Sequence, residues 1–140
     1  MPSMLIAVDG SDPSLKALEY GCRLAKKTGA QVLLLNVAAP VVTPPGIEPG
    51  VLTTVEHAVR ADAERVLLEA QQKAHELDVV AERRLEFGDP GHTISDVAEA
   101  VAADPVVVGS HGRTGVKRLL LGSVADKVVR LCPRPVLVVH

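Results

Sequence analysis

Aromatic side chains are almost missing from this sequence: one Tyr, one Phe and no Trp in 140 residues. Its core must therefore be aliphatic, and binding of single-stranded nucleic acid by base stacking has no platform to rest on. An excess of positive charge is missing too. The formal net charge is −2, which leaves no electrostatic footprint for DNA or for an anionic membrane. Cysteine is scarce: Cys22 and Cys132 lie far apart and form no CxxC pair, so they read as reduced, buried thiols of a cytosolic protein. The start, MPSMLIAVDG, lacks a basic segment followed by a long apolar run, so no signal peptide is expected. No apolar run approaches the roughly 18 residues of a membrane span. These absences predict a cytoplasmic protein with neither a nucleic-acid nor a membrane partner. His57, His75, His92, His111 and His140 show no metal-ligand spacing with Cys, Asp or Glu.

What is present is a globular balance, 47% apolar and 23% charged residues. The length suits one domain spanning 1–140, which buries roughly two thirds of its unfolded surface and needs no disulfide or metal to fold. MLIAV at 4–8 predicts a buried strand. Ser11 or Asp12 can cap a helix with Pro13 in its first turn; Leu15, Leu18, Cys22 and Ala25 mark its apolar face, and Gly29 ends it. QVLLLNV at 31–37 predicts a second strand. A proline-rich connection over 38–51 follows, at the same end of the sheet, and reads as a lid. A long helix is predicted over about 52–77, with a stripe that includes Leu52, Val55, Val59, Ala63, Val66 and Leu67. A more polar strand at 79–86 suits an edge. A helix over about 91–103 follows, ended by Asp104-Pro105, then VVV into Gly109, a helix from Ser123, and PVLVV at 135–139. Strict alternation of strand and helix predicts an α/β fold with a parallel sheet and helices on both faces.

GSHGRTGVKRLLLGS, 109–123, lies between the fourth strand and the helix from Ser123. In open parallel sheets ligands bind at the carboxyl ends of the strands, near the point where strand order reverses. A helix start offers free amides to an anion, and glycines let backbone approach it. Arg113, Lys117 and Arg118 add positive charge. Neither GxxxxGK[ST] nor GxGxxG after the first strand is present, so the chain has no P-loop and no dinucleotide fingerprint. Gly109-x2-Gly112-x9-Gly122-Ser123 fits two roles from the residues alone: an anion cradle, or a surface loop that needs glycine for its turns. His111 reads as a solvated loop side chain within reach of a phosphate, and His92 near Asp89 as a helix-start residue.

That glycine-serine pattern after an apolar strand resembles the ATP-binding pattern of the universal stress protein family, and the opening AVDGSDPS and the ending PRPVLVV resemble the same family. The resemblance covers the chain from about Met4 to Val139. It implies an open five-stranded parallel sheet in the order 3-2-1-4-5, Rossmann-like and of the adenine nucleotide α-hydrolase type. Asp9 and Val37 would then meet the adenine, and Val108 and Gly109 the ribose. Gly112, Gly122, Ser123 and Val124 would line the phosphates. Asp9 has a competing role as organiser of the turn before the first helix, and Ser123 one as a helix cap. Asn36 stands where many members carry histidine. The resemblance implies an ATP-binding regulatory module of the stress response, with AMP or ADP as alternative ligands and Mg2+ or Mn2+ accompanying the phosphates. It also implies a homodimer through the last strand, 135–139. No acid–base pair is identifiable, so ATP hydrolysis, if any, is expected to be slow. Two other readings stand beside this one: a dimeric scaffold that needs no nucleotide, and a small adenine-nucleotide enzyme, for which 140 residues leave little room for a second substrate.

Overall fold

The structure, a computed structural model, describes residues 3–112 and 121–140. Among the described residues nine elements alternate: β1 (Ser3–Ala7), α1 (Asp12–Thr28), β2 (Gln31–Ala38), α2 (Pro49–Glu76), β3 (Ala81–Phe87), α3 (Pro90–Ala100), β4 (Ala103–Gly109), α4 (Ser123–Leu131) and β5 (Val136–Val139). The five strands form one sheet in the order β3-β2-β1-β4-β5, and all four pairings are parallel. This is the α/β architecture expected from the alternation, with the strand order implied by the resemblance.

The helices divide between the two faces. Met4, Ile6, Leu34 and Val107 turn to one side, where they pack with Leu18 and Cys22 of α1 and with Val66 and Leu67 of α2. Leu5, Leu35, Val106 and Val108 turn to the other, against Ile94 and Val97 of α3 and Ala125 and Val128 of α4. The period-2 alternation of a strand sends successive side chains to opposite faces, so strands buried on both sides read as unbroken apolar runs.

Several boundaries and faces differ from the sequence expectation. On α1 the buried face is Ser14, Ala17, Leu18, Gly21, Cys22 and Ala25, while Leu15 is exposed. Small residues set this face because α1 lies close on β1: a Cβ at Gly21 would stand 2.7 Å from Ile6 Cδ1. Ser11, not Asp12, is the cap, its hydroxyl accepting from the Ser14 amide. Helix α3 ends at Ala100, and Asp104-Pro105 lies inside β4 rather than ending the helix. Pro105 has no N–H to give a ladder, and the β1–β4 register shifts by one residue there, from Ser3↔Ala103 to Leu5↔Val106.

The two edges of the sheet are unlike. On β3, Glu82, Arg83 and Arg84 are exposed, which guards that edge with charge. On β5 the four apolar residues are all half-buried. The carbonyls of Pro135 and Val139 accept from Val106 and Ser110. Odd-numbered residues of β5 thus turn their polar groups to β4, and Val136 and Val138 turn theirs outward.

Candidate functional site

Each strand of this sheet ends at the same edge, and each following helix begins there with amides that have no helical acceptor. Between β1 and β4 the chain leaves for opposite faces, α1 to one and α4 to the other, and a crevice opens between them. It holds a cavity of about 730 Å3. The ends of β1 and β4 contribute Ala7, Val8, Val108 and Gly109. The end of β2 contributes Leu35 to Ala39, and α2 brings Ala58, Val59, Asp62 and Ala63. Across from them stand Pro90 and Ile94 of α3 and Ser123 to Ala125 of α4, with Asp9, Ser14, His111 and Gly112 completing the lining. Apolar walls with a few convergent polar groups are what a small-molecule site requires.

Asp9 has one oxygen in the turn and one toward the loop. Its Oδ1 accepts from the amide and the hydroxyl of Ser11, and its own amide donates to Ser14 Oγ at 3.0 Å. The turn-organising role is therefore present. Its Oδ2 faces the glycine loop, since a Cβ at Gly112 would lie 3.0 Å from it. Two segments about 100 residues apart in sequence meet here, as the strand order requires.

Val37 is half-buried at the end of β2, and Val108 is buried at the end of β4. Gly109 lines the cavity and also meets α1: a Cβ there would stand 2.8 Å from the Pro13 carbonyl oxygen. Gly122 closes the base of the loop. Its amide donates to the Ser110 carbonyl at 2.7 Å, and a Cβ would lie 3.1 Å from His111 Cα and 3.2 Å from Ser110 O. Both glycines are thus demanded by backbone packing, in addition to any ligand role.

Gly122 is also the N-cap of α4, and among the described residues no side chain caps that helix. Ser123 is the first helical residue rather than a cap, and it is exposed. The amides of Ser123, Val124 and Ala125 stand in the first turn, where a helix leaves its donors without an internal acceptor, and all three residues border the cavity. His111 is half-buried on the lining, not a fully solvated loop residue, with Nδ1 3.1 Å from Ser110 Oγ. Arg113, Lys117 and Arg118, the cations expected beside a phosphate, lie outside the described residues.

Sequence reading missed the α2 wall. Val59 and Ala63 were absorbed into one continuous helical stripe, and Ala58 and Asp62 carried no signal of their own, yet no residue of α2 before Ala63 is buried. Asn36 ties this wall to the sheet: it is buried, and its Nδ2 donates to the Ala63 carbonyl at 3.3 Å. The proline-rich residues 40–48, read as a lid, do not line the cavity; only Ala38 and Ala39 of that connection do.

Beside the crevice, Asp89 caps α3. Its carboxylate accepts from the His92 amide and contacts His92 Nδ1 at 2.8 Å and Lys127 Nζ at 3.1 Å. The hydrogen bonds from His92 and then Lys127 hold its pKa down at about 2. This fastens the start of α3 to α4. Among the described residues no group of three or more His, Cys, Asp or Glu could hold a metal ion, and no helix is long and apolar enough to cross a membrane.

A model of the universal stress protein family matches residues 1–140. Universal stress protein YxiE of Bacillus subtilis is 37% identical over 144 residues, covering 98% of this chain and 97% of that protein. A universal stress protein of Methanocaldococcus jannaschii is 33% identical, covering 97% of this chain and 80% of its own. Among solved structures, universal stress protein UspA from Lactobacillus plantarum matches with a TM-score of 0.87 at 27% identity, over 99% of this chain and 97% of that one. A universal stress protein in complex with cAMP matches with a TM-score of 0.76 at 28% identity, over 99% and 97%.

Proposed function

The chain belongs to the universal stress protein family, and on that premise we propose that the crevice between β1 and β4 binds an adenine nucleotide and that the protein is a small nucleotide-binding regulatory module. The observation that carries this reading is the start of α4, without a side-chain cap among the described residues, bordering an apolar cavity at the switch point of the sheet. The relative in complex with cAMP supports adenine as the base. In this reading the base lies among Val37, Val108 and the Asp9 turn, with Gly109 near the ribose. The phosphates meet the amides of Gly112, Ser123 and Val124 and the Ser123 hydroxyl, with Gly122 holding that backbone in place.

ATP is the ligand proposed, with AMP or ADP as alternatives. A divalent ion, Mg2+ or Mn2+, would be held mainly by the phosphates and water. Asp9 is engaged in its turn, so hydrolysis is proposed to be slow, below about 1 s⁻¹, a low value for an enzyme. The half-buried apolar β5 edge, beside the exposed Val129 and Leu131 of α4, supports a homodimer through β5.

Thermal unfolding with ATP, ADP, AMP and GTP tests the site. A ligand at 100 times its Kd adds about 2.7 kcal/mol, or about 8 °C for a domain of this size. The expected result is a shift with an adenine nucleotide that shrinks in Ser123→Ala. Nucleotide-free protein with no shift for any of the four would leave the glycine loop purely structural and favour the nucleotide-independent scaffold.

A further inference from the structure

We propose that Asp62, on the α2 wall, is a specificity-determining residue that selects the 6-amino group of adenine over the 6-oxo group of hypoxanthine or guanine; this rests on the adenine-nucleotide reading above. Two carboxylates border the cavity, Asp9 and Asp62. Asp9 Oδ1 is engaged by Ser11 and its Oδ2 faces Gly112, on the loop side of the crevice. Asp62 stands on the other side, next to Ala63, which Asn36 binds directly to β2 one residue before Val37. A base resting near Val37 therefore lies beside the segment that carries Asp62, with Ala58 and Val59 as its apolar neighbours.

The Asp62 carboxylate is held in place. Arg65 NH2 donates to its Oδ1 at 2.8 Å, and Arg65 NH1 reaches on to Glu69 at 3.0 Å. The hydrogen bonds that Arg65 donates to both acids, Asp62 first, raise its pKa above the usual value. An ionised carboxylate only accepts hydrogen bonds. It accepts from the 6-amino group of adenine and opposes the 6-oxo lone pairs of hypoxanthine and guanine. The Asp62 side chain is 47% exposed, so the contrast is that of one partly solvated hydrogen bond, about three- to tenfold in affinity.

The test is calorimetric binding of AMP, IMP and purine riboside 5′-monophosphate, which has neither group at position 6, to wild type and to Asp62→Asn. The three carry the same phosphate, so the charge lost in the variant cancels in their ratios. The expected result is a wild-type order of AMP, then purine riboside monophosphate, then IMP. In Asp62→Asn, whose amide can donate to the 6-oxo group, the AMP-to-IMP ratio should fall by about three- to tenfold. Asp62→Ser, which removes the carboxylate together with its charge and reach, serves as a second variant and should lower the same ratio. Unchanged ratios in both variants, with AMP still binding, would overturn the role of Asp62 and leave the site standing. Failure of wild type to bind any of the three would overturn the adenine-nucleotide reading as well.

Discussion

Gly122 and Ser123 are adjacent in the glycine motif, but their roles separate in the structure. Gly122→Ala places a methyl group 3.1 Å from His111 Cα and 3.2 Å from Ser110 O, both backbone. It is expected to cost about 1–3 kcal/mol in chemical denaturation, because neither neighbour is a movable side-chain tip. Ser123→Ala should leave stability within about 0.5 kcal/mol, since the residue is exposed and is not the cap. It should weaken nucleotide binding about three- to tenfold, the worth of one hydrogen bond. A large stability loss in Ser123→Ala would instead make the hydroxyl structural. Topology brings Asp9, Val37, Val108, Gly112, Ser123 and Val124 to the lining of one crevice. The glycine-serine spacing marked the loop in the sequence, whereas Asp9, Val37 and Val108 were named there only through the family resemblance. The packing roles of Gly109 and Gly122 were not, since a glycine in a sequence does not say which backbone will approach it. Cys22 supplies a prediction of its own. Burial pushes its thiol from 9.0 up to about 11. A folded-state pKa raised in this way contributes stability that is whole below about pH 9 and is lost as pH climbs through 11. Denaturation midpoints should fall over that window in wild type, and less steeply in Cys22→Ala.

Among the elements, α2 differs most from its sequence reading. At 28 residues it is about 42 Å long, and its stripe of apolar residues runs almost its whole length. Only from Ala63 onward does that stripe meet the core; Val51 and Val55 are exposed. Periodicity reports which side of a helix is apolar, not how far the sheet beneath it extends. Strand β2 ends at Ala38, and the helix passes beyond it, so its first half overhangs the crevice. That half has no capping side-chain bond at Glu48. Thr53 and Thr54 turn their hydroxyls back to the carbonyls of Pro49 and Gly50, a contact that weakens helices slightly. A helical arm of this length is marginal without packing. Amides over 52–61 should exchange with solvent faster than those over 66–74, and bound nucleotide should slow the first group selectively by covering Ala58 and Val59. Equal exchange in both halves, unaffected by nucleotide, would contradict this. The sequence reading of β3 as an edge was correct because its polar positions break the apolar run, a pattern a central parallel strand cannot carry.

For the whole molecule, the contrast between a charged β3 edge and an apolar β5 edge decides how copies would meet. Light scattering at micromolar concentration should give a mass near twice the 14.7 kDa of one chain, and a mass of one chain would refute the homodimer. Val138→Pro should weaken the dimer with little effect on the fold, because it removes an outward-facing donor; Leu137→Pro should harm the fold too, because that amide faces β4. The strand order was legible through the family resemblance, whereas periodicity alone reached only a parallel sheet covered on both faces. The function proposed for the whole molecule depends on the crevice between β1 and β4 being an adenine-nucleotide site. The most direct measurement is a methyl NMR titration of nucleotide-free protein with AMP and with ATP. Saturable shifts are expected at Val37, Val59, Ile94, Val108 and Val124, with little change at Val32 and Val80, which lie away from that edge. No saturable shift with either nucleotide, or shifts centred away from those five residues, would contradict it.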